Sequence, residues 1–363
     1  MDKKKYDYWL YSLKGIGKKT FLKIYEEGYT SFFLYKCDKN RLPSFLSPSQ
    51  TASILKGREI SEERIGKAYE RLLESGVLMT VFKDGDYPEK LTRIPDAPAV
   101  IFYRGKLPQK GQRNIAVIGA RNCSEYGKYV AEEFAAYFAG NNIGVISGMA
   151  NGIDGVAQKA ALGANGFSVG VLGSGVNVCY PMENYDLYKE LIQKGCIMSE
   201  YLPNERATAN LFPQRNRIIS GLADALLVIE AKEKSGTLIT VEMALEQGKD
   251  VYVVPGRITD ELSKGCNKLL QEGALLATSP KRMLEDVYQI EGCDERGQDK
   301  PKFTEVEKKI LSFLEVVPMH INVLQEKTGI PLDVLYVELM HMMIDGRVLQ
   351  SGSNWYQKRE VHL

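Results

Sequence analysis

Short, mainly apolar runs alternate with amphipathic stretches through the middle of the chain. Residues 115–118, 168–172 and 225–230 are such runs, and most of the runs are followed by glycine and then by a helical pattern. Runs this short are typical of parallel strands buried on both faces, because buried helices need longer apolar segments. Residues 76–290 are therefore predicted to form an α/β fold, a Rossmann-like doubly wound parallel sheet with its ligand site at the carboxyl ends of the strands.

The two flanks of this segment have other patterns. Residues 1–75 have the pattern of short helices, and residues 304–363 contain three helical patterns followed by two strand-like pieces. This order predicts a small helical domain of the SAM or helix-hairpin-helix kind at 1–75 and a winged-helix domain at 304–363. A charged, glycine-containing linker is predicted at 291–303.

Composition narrows the class of protein. The 363 residues are 44% hydrophobic and 26% charged, which excludes wholesale disorder. No stretch approaches the 18 apolar residues of a membrane span, and the six cysteines form no C-x-x-C pair. We therefore expect a cytoplasmic protein with reduced thiols, no membrane association, no metal site and no cofactor.

The histidines exclude one class of enzyme. His320, His341 and His362 are the only three, so residues 76–290 contain none. A Ser-His-Asp or Cys-His hydrolase centred on the sheet is thereby excluded. Nucleotide hydrolysis has no support either, because the glycine-rich stretch at 15–20 lacks the earlier glycine and the ending of a P-loop.

The net charge of +1 conceals an uneven distribution. Residues 1–110 carry 21 basic and 14 acidic side chains, whereas residues 111–300 carry 19 and 24. The first segment attracts phosphate through its overall field. The sheet domain repels phosphate on average, so it needs a local basic cluster to bind nucleic acid.

The loop after the first parallel strand predicts an anion site rather than a dinucleotide site. A dinucleotide fingerprint would place glycines at 119, 121 and 124, but these residues are Gly119, Arg121 and Ser124. Arg121 blocks the close approach of a pyrophosphate to the backbone, while its guanidinium offers a forked, charged donor. A structural salt bridge is the alternative role for this arginine.

Three further loops at the same edge of the predicted sheet are rich in glycine and can direct backbone N–H groups at a phosphate. Their candidate ligands are Gly148, Gly152, Gly173, Gly175, Ser235, Gly236 and Thr237. Plain helix capping is the alternative for any single loop. Four such loops at one edge favour a ligand rich in phosphate.

A basic stretch precedes the strand at 225–230. Its residues Arg215, Asn216 and Arg217, together with Arg121, would supply the local cluster that the acidic domain needs. A solvated helix face is the alternative for this stretch. Several nearby aromatic side chains either pack in the core or stack on bases: Tyr126, Tyr180, Tyr185 and Phe212.

The turn between the first two helical patterns resembles a helix-hairpin-helix turn, in which glycines let backbone N–H groups reach a DNA phosphate. Its candidate contacts are Lys14, Gly15, Gly17, Lys18 and Lys19. A helix connection with solvated lysines is the alternative. In the predicted winged helix, residues 332–343 carry two acids and no Lys or Arg, which favours a protein-contact or structural role over groove reading.

An ordered series of motifs resembles the DNA-processing protein A family (DprA), also called Smf. The motifs are Y-P at 87–88, G-x-R-x-x-S-x-Y-G at 119–127, S-G-x-A-x-G-I-D at 147–154, L-G-x-G at 172–175, Y-P-x-E-N at 180–184, P-x-R-N-R-I-I-S-G-L at 213–222, S-G-T at 235–237 and V-P-G at 254–256. The match is dense from about residue 80 to 290.

This resemblance implies a homodimer, joined through the Rossmann-like domain, that binds single-stranded DNA and catalyses no reaction. Members of the family shield incoming strands and load a RecA-type recombinase during natural transformation. Their DNA pocket corresponds to the loops at 119–126, 148–152, 173–184 and 215–217 of this chain. The resemblance thereby implies Tyr126, Tyr180 and Asn184 as contacts. Gln158 and Met182 depart from the family, which often has His at the first position and in some members a basic residue at the second. We therefore expect either weaker binding or a greater contribution from the basic segment at 1–110.

The alternative is a phosphoribohydrolase acting on nucleoside monophosphates, of the lysine-decarboxylase-like kind with a similar fold. That family resembles P-G-G-x-G-T-x-x-E, whose glutamate serves catalysis. Here Leu238, Ile239 and Thr240 follow Thr237, so the carboxylate is absent from its place. We therefore expect a DNA-binding protein in which Arg121 and Arg217 contact the strand, with a smaller contribution from the lysines of the hairpin turn.

Overall fold

The structure is a computed structural model that describes residues 3–82, 84–289, 304–315, 317–344 and 347–358. The chain divides into two compact units, Met1–Cys293 and Asp294–Leu363. The boundary predicted at residue 75 lies inside the first unit and stays a prediction. The predicted linker at 291–303 lies outside the described residues.

Capping residues begin several of the first helices. Ser47 Oγ accepts a hydrogen bond from Gln50 N, the Gln50 side chain accepts one from Ser47 N, and Pro48 occupies the first helical position. Ser61 Oγ accepts from Arg64 N at the start of the fifth helix. The helices are α1 Lys4–Ser12, α2 Lys18–Glu26, α3 Ser31–Lys36, α4 Pro48–Gly57 and α5 Glu62–Glu74, with a 3-10 turn at Lys39–Arg41.

In the part of the first unit that the structure describes, nine strands form one sheet. They are β1 Leu78–Val81, β2 Val100–Gly105, β3 Asn114–Gly119, β4 Gly144–Ser147, β5 Ser168–Val171, β6 Cys196–Ser199, β7 Ala225–Ile229, β8 Asp250–Val253 and β9 Leu275–Leu276. The order is β1-β2-β6-β5-β4-β3-β7-β8-β9. The seven neighbouring strands β6-β5-β4-β3-β7-β8-β9 are parallel to one another. Strand β2 pairs antiparallel with β6, and β1 pairs antiparallel with β2 at the edge of the sheet.

Helices cover both faces of this sheet. They are α6 Glu125–Gly140, α7 Ile153–Gly163, α8 Tyr185–Lys194, α9 Leu211–Leu222, α10 Gly236–Glu246, α11 Glu261–Gln271 and α12 Pro280–Tyr288, with 3-10 turns at Glu89–Arg93 and Met182–Asn184. Alternate residues of β3 take opposite faces, as the pleat of a strand requires. Ile115 and Val117 pack with α6 and α7, while Ala116 and Ile118 pack with α9 and α10.

The α1–α5 helices pack on the β1–β2 side of the sheet. The rings of Tyr8 and Tyr11 lie 6.2 and 6.0 Å from the ring of Phe102 on β2. Tyr11 Oη also donates a 2.8 Å hydrogen bond to the carbonyl of Glu200, directly after β6. This packing joins the helical segment and the sheet in one hydrophobic core.

The second unit has the element order that the sequence predicts, with one extra strand. Its elements are α13 Glu305–Phe313, β10 Met319–His320, α14 Ile321–Thr328, α15 Leu332–Ile344, β11 Val348–Gly352 and β12 Trp355–Lys358. The three strands form a sheet in the order β10-β12-β11. Its assignment as a winged helix stays an interpretation of this order.

The α/β prediction is confirmed for the sheet. Each predicted run of the parallel region is a strand, and β4 to β7 are buried at every residue. The sequence analysis missed β9, which is only two residues long and exposed, and did not assign β1 and β2 to the same sheet. No helix among the described residues is long and apolar enough to cross a membrane.

A buried carboxyl group in the helical segment makes stability depend on pH. Burial raises the pKa of Asp7 to about 6, against the hydrogen bonds that it accepts from Tyr25 and Ser31. The folded chain therefore binds this proton between about pH 4 and pH 6, where the unfolded chain has lost it, so stability falls as pH rises through that window.

We expect Asp7→Asn to remove this dependence. Relative to the unchanged protein, the variant should gain about 2 kcal/mol of unfolding free energy at pH 7.5 compared with pH 4. Urea titrations of both proteins at the two pH values measure the difference. An equal effect of the substitution at both pH values would contradict the assignment.

Candidate nucleic-acid interface

The carboxyl ends of the parallel strands lie along one side of the sheet, the carboxyl edge. Strands β3 and β7 are neighbours there, and the chain order runs outward from them in both directions. This reversal is the switch point at which doubly wound sheets bind ligands. The loops after β3, β4, β5 and β7 meet at this edge, as the sequence predicts.

Close packing explains three of the glycines at the carboxyl edge. A Cβ on Gly119 would lie 1.8 Å from the carbonyl oxygen of Ile229, and one on Gly173 would lie 2.6 Å from Phe212 Cδ1. A Cβ on Gly175 would lie 2.1 Å from a backbone oxygen of the loop after β6. These glycines are therefore required by contacts inside the protein, whereas the sequence analysis assigned them to phosphate.

The loop before α7 is held by its own side chains. Gly148 N donates a 3.0 Å hydrogen bond to Asp154 Oδ2, and the backbone turns at Gly152 with φ +74°. A Cβ on Gly152 would lie 2.2 Å from the carbonyl oxygen of Ala120, so only glycine fits. Within the described chain, the N–H groups of Asn151 and Gly152 have no acceptor and are this loop's remaining donors.

Asn184 and Gln158 fasten the same loop from inside. Asn184 is buried, and its Nδ2 donates to the carbonyls of Met149 and the following residue at 3.0 and 3.1 Å. Gln158 is fully buried, accepts from Met149 N and donates to the carbonyl of Val169. Asn184 therefore has a positioning role in place of the predicted direct DNA contact. Gln158 is buried, so its departure from the family removes no charge from the surface, whereas Met182 is exposed.

Ser124 is also engaged inside the protein. Its backbone N–H donates at 2.8 Å to Glu230 Oε2, its hydroxyl donates to the other carboxylate oxygen, and the same hydroxyl accepts from Gly127 N as the N-cap of α6. The predicted phosphate contact of Ser124 is therefore replaced by an internal carboxylate.

Arg217 lies in a buried ion-pair network. Its Nη1 and Nη2 donate to both oxygens of the Glu200 carboxylate at 2.7 and 2.6 Å, and its Nε lies 3.1 Å from Asp96 Oδ2. Burial opposes the charged form, but the Glu200 carboxylate outweighs it and raises the pKa of Arg217. Because Arg217 is buried, the alternative of a solvated helix face is wrong for this residue. Its predicted contact with the strand stays a prediction and would require the ion-pair network to open.

Arg215 is buried as well. Its Nη1 donates to the carbonyl of Gly148 at 2.8 Å and to that of Val171, and its Nε donates to Asn216 Oδ1 at 3.3 Å. Burial lowers the pKa of Arg215 to about 10 against the attraction of Asp154, and burial raises the pKa of Asp154. Arg215 thus remains charged at neutral pH and holds loops together, which corrects its predicted role as a surface cation. Asn216 is half-buried beside it.

Arg121 is the exposed arginine among the predicted ones. Its Cζ lies 5.9 Å from the ring centroid of Phe212, and it forms no ion pair within the described part of the chain. The ring of Tyr180 lies 5.4 Å from the same phenyl ring at 37°, and Tyr180 is 51% exposed. We call Arg121, Tyr180 and Phe212 the Arg121 cluster. Tyr126 is exposed in the first turn of the adjoining α6 helix.

The loop before α10 contains a helix-capping residue, Ser235, and a solvent-exposed glycine, Gly236. Ser235 Oγ accepts from Thr237 N, and Thr237 Oγ1 donates to the carbonyl of Gly119 at 3.2 Å. Capping, the alternative interpretation, therefore accounts for the Ser235 side chain, whereas the Thr237 side chain bonds to the backbone at the end of β3. Gly236 is exposed, and a Cβ there would meet nothing within 4 Å.

Exposed cations in the described loops at this edge were not predicted from the sequence. Lys232 and Lys234 are exposed in the loop between β7 and α10, Arg206 is exposed in the loop after β6, and Arg257 is exposed in the loop after β8. The backbone of the Arg206 loop is joined to the loop after β5 by a hydrogen bond from Gly175 N to the carbonyl of Glu205. A count of basic residues in the loops after each strand would have found them.

The hairpin turn before α2 is open on one side only. Lys18 Nζ forms a 2.5 Å ion pair with Asp96, the carboxylate that also contacts Arg217, so the predicted phosphate contact of Lys18 is replaced by an internal pair. Gly15 and Gly17 are exposed with no atom within 4 Å of an added Cβ, and Lys14 and Lys19 are also exposed. Across the described ranges no group of three metal-ligating side chains occurs.

These observations define a Rossmann-like α/β protein whose carboxyl edge exposes an arginine and aromatic rings. The family model described as DNA recombination-mediator protein A matches residues 78–288. Protein Smf of Escherichia coli is 35% identical over 285 residues, which span 76% of each chain. The chain therefore belongs to the DNA-processing protein A (DprA/Smf) family.

Solved structures agree with this membership. The X-ray structure of DNA processing protein A from Streptococcus pneumoniae matches with a TM-score of 0.66 and 33% identity, covering 78% of this chain and 97% of that chain. The structure of the Helicobacter pylori protein, described as giving insight into its single-stranded DNA binding mode, matches with a TM-score of 0.53 and 26% identity, covering 58% of this chain and 96% of that chain.

The ion-pair network predicts that Arg217 acts on stability. Arg217→Ala leaves the buried Glu200 carboxylate without its partner, and we expect a loss of about 3–5 kcal/mol in unfolding free energy. Replacing both partners, as in Arg217→Met with Glu200→Leu, should recover a large part of that loss. Urea titrations measure both effects, and an Arg217→Ala variant as stable as the unchanged protein would contradict the network.

Proposed function

We propose that this protein binds single-stranded DNA at its carboxyl edge, protects incoming strands and loads a RecA-type recombinase during DNA uptake, without catalysing a reaction. Membership of a family whose model is described as a DNA recombination-mediator supports the proposal. The relative from Helicobacter pylori, which is described as binding single-stranded DNA, supports the choice of ligand.

The Arg121 cluster is the observation that carries this proposal. It places the permanent positive charge of Arg121 5.9 Å from the Phe212 ring, and the Tyr180 ring 5.4 Å from the same ring, on an otherwise acidic domain. The guanidinium suits a backbone phosphate, and the exposed face of a ring suits a base. Neither contact reads base edges, so the site is suited to an unpaired strand of any sequence.

The other donors extend this site along the carboxyl edge. The N–H groups of Asn151 and Gly152 offer hydrogen bonds, and Lys232, Lys234 and Arg206 add charge. On the helical segment, Lys14 and Lys19 remain available beside the open glycines of the hairpin turn for a secondary contact. Phosphate binding through these cations makes the affinity fall with salt.

The first prediction concerns charge at the cluster. Arg121→Ala should weaken the binding of oligo-dT by about 1–3 kcal/mol, or roughly 5- to 150-fold in Kd, because a charged contact is lost. Fluorescence anisotropy at fixed salt measures this. Lys110→Ala is the matched control, since Lys110 is an exposed cation before the amino end of β3. Equal affinities of both variants and the unchanged protein would contradict the site.

The second prediction concerns stacking. Phe212→Leu keeps an apolar side chain against Gly173 but removes the aromatic face, so oligo-dT binding should weaken by about 1–3 kcal/mol. Phe32→Leu, at an exposed phenylalanine of α3, serves as the control. Thermal unfolding of each variant checks that the fold is retained. A Phe212→Leu variant that binds as tightly as its control would remove base stacking from the proposal.

We also propose that the chain forms a homodimer through the Rossmann-like domain. Support comes from the edge of the sheet at β9, where Leu275 and Leu276 are exposed, and from two further exposed apolar side chains next to β8 in the chain, Leu245 and Ile258. Exposed apolar patches of this kind are typical of protein interfaces.

Leu276→Asp should convert the dimer to a monomer, because it places a charge in an apolar contact. Light scattering after size-exclusion chromatography measures the mass. Leu78→Asp, at an exposed leucine on the opposite edge strand β1, is the control. A dimer that survives Leu276→Asp would place the interface elsewhere.

The absence of catalysis has its own test. Incubation with nucleoside monophosphates should release no free base, and release that depends on Thr237 or Arg121 would support the phosphoribohydrolase alternative. Strand protection is tested by nuclease digestion of oligo-dT with and without the protein. Recombinase loading is tested by filament formation on coated single strands.

A further inference from the structure

A carboxylate from a neighbouring strand occupies the N-terminal end of α6. Glu230 directly follows β7, and its two oxygens accept hydrogen bonds from the N–H and the hydroxyl of Ser124. Ser124 is the N-cap of this 16-residue helix. The positive end of the helix dipole therefore faces an anion that belongs to the protein.

The surrounding structure is shaped to this carboxylate. Glu230 is 8% exposed and adopts the left-handed backbone conformation with φ +56°, which a side chain rarely adopts without a strong reason. Gly127, in the first turn of α6, gives it room, since a Cβ there would lie 2.4 Å from Glu230 Oε2. Three independent features thus hold the carboxylate in one place.

This place is where a Rossmann-type sheet ordinarily receives a phosphate. The helix α6 follows β3, and β3 and β7 flank the switch point. A phosphate in such a fold accepts hydrogen bonds from the N–H groups at the start of that helix. The Glu230 carboxylate accepts one such N–H bond, from Ser124 N, and a second bond from the Ser124 hydroxyl.

We infer that the Glu230 carboxylate occupies the position at the start of α6 where a Rossmann-type fold binds phosphate, and so excludes nucleotides from the switch point. We call this position, beside Ser124, the phosphate seat. A phosphate entering the seat would meet both a filled volume and a like charge. The Glu230 contacts also fix the loop that carries Arg121, whose guanidinium stays exposed. Anionic ligands are thereby directed to the outer surface of the carboxyl edge. Glu230 is thus a residue that determines ligand class, and this holds whether or not the edge binds DNA.

Emptying the seat should create a binding site for inorganic phosphate. Glu230→Gly removes the side chain and suits the positive φ, so the variant should show a saturable rise in Tm of about 2–4 °C with sodium phosphate at constant ionic strength. The unchanged protein should show no such saturable rise in Tm. Adding Ser124→Ala to Glu230→Gly removes one donor of the seat and should abolish most of the gain.

Two controls separate this effect from a general loss of charge. Glu233→Gly removes an exposed carboxylate from the same loop and should behave like the unchanged protein. Glu230→Gln removes the charge but leaves the volume filled, and it should gain much less than Glu230→Gly. A general electrostatic effect would instead give all three variants the same response.

Several outcomes would overturn the inference. One is a folded Glu230→Gly variant with no phosphate-dependent gain beyond that of the unchanged protein. Another is a gain that persists in full when Ser124→Ala is added. If Glu230→Gly fails to fold in chloride, phosphate should restore folding, and failure in both salts would also overturn it. Because the probe is free phosphate, a failure of the DNA proposal leaves these readouts unaffected.

Discussion

The buried pair between Arg217 and Glu200 supports the whole carboxyl edge. It joins α9 to the end of β6, and Asp96 extends it to Lys18 in the helical segment. Because α9 also carries Phe212 and Arg215, the position of the half-buried Phe212 ring and of the loops that Arg215 holds depends on this pair. A buried pair of this kind is costly to break from one side, so it fixes a geometry more than it adds stability.

The edge uses most of its polar groups internally. Glu230 satisfies the start of α6, Asp154 satisfies the turn before α7, and Asn184 closes the same loop from the other side. What remains exposed in the described loops includes Arg121, Tyr180, part of the Phe212 ring and further cations such as Arg206, Lys232 and Lys234. An unpaired polynucleotide suits this surface because it offers phosphates and bases along a flexible chain and needs no deep cavity.

Sequence patterns predicted the sheet well, and they predicted that its glycine-rich loops meet at one edge, because short apolar runs ending in glycine depend on local spacing. They predicted individual contacts less well. Arg121 and Arg217 have the same chemistry in the sequence, but only the fold shows that one faces solvent and the other faces Glu200. Burial depends on partners distant in the chain, such as Asp96, and no spacing rule reveals it. Some of the glycines have a packing role that the sequence does not reveal, since Gly173 makes room for Phe212.

The most direct measurement is a crystal structure of the full chain with a short oligo-dT. The account predicts a backbone phosphate within hydrogen-bond distance of the Arg121 guanidinium, a base stacked on the Phe212 ring, and Glu230 still bound to Ser124. An oligonucleotide bound elsewhere with the Arg121 cluster empty, or a phosphate seated at the start of α6 in place of Glu230, would contradict it.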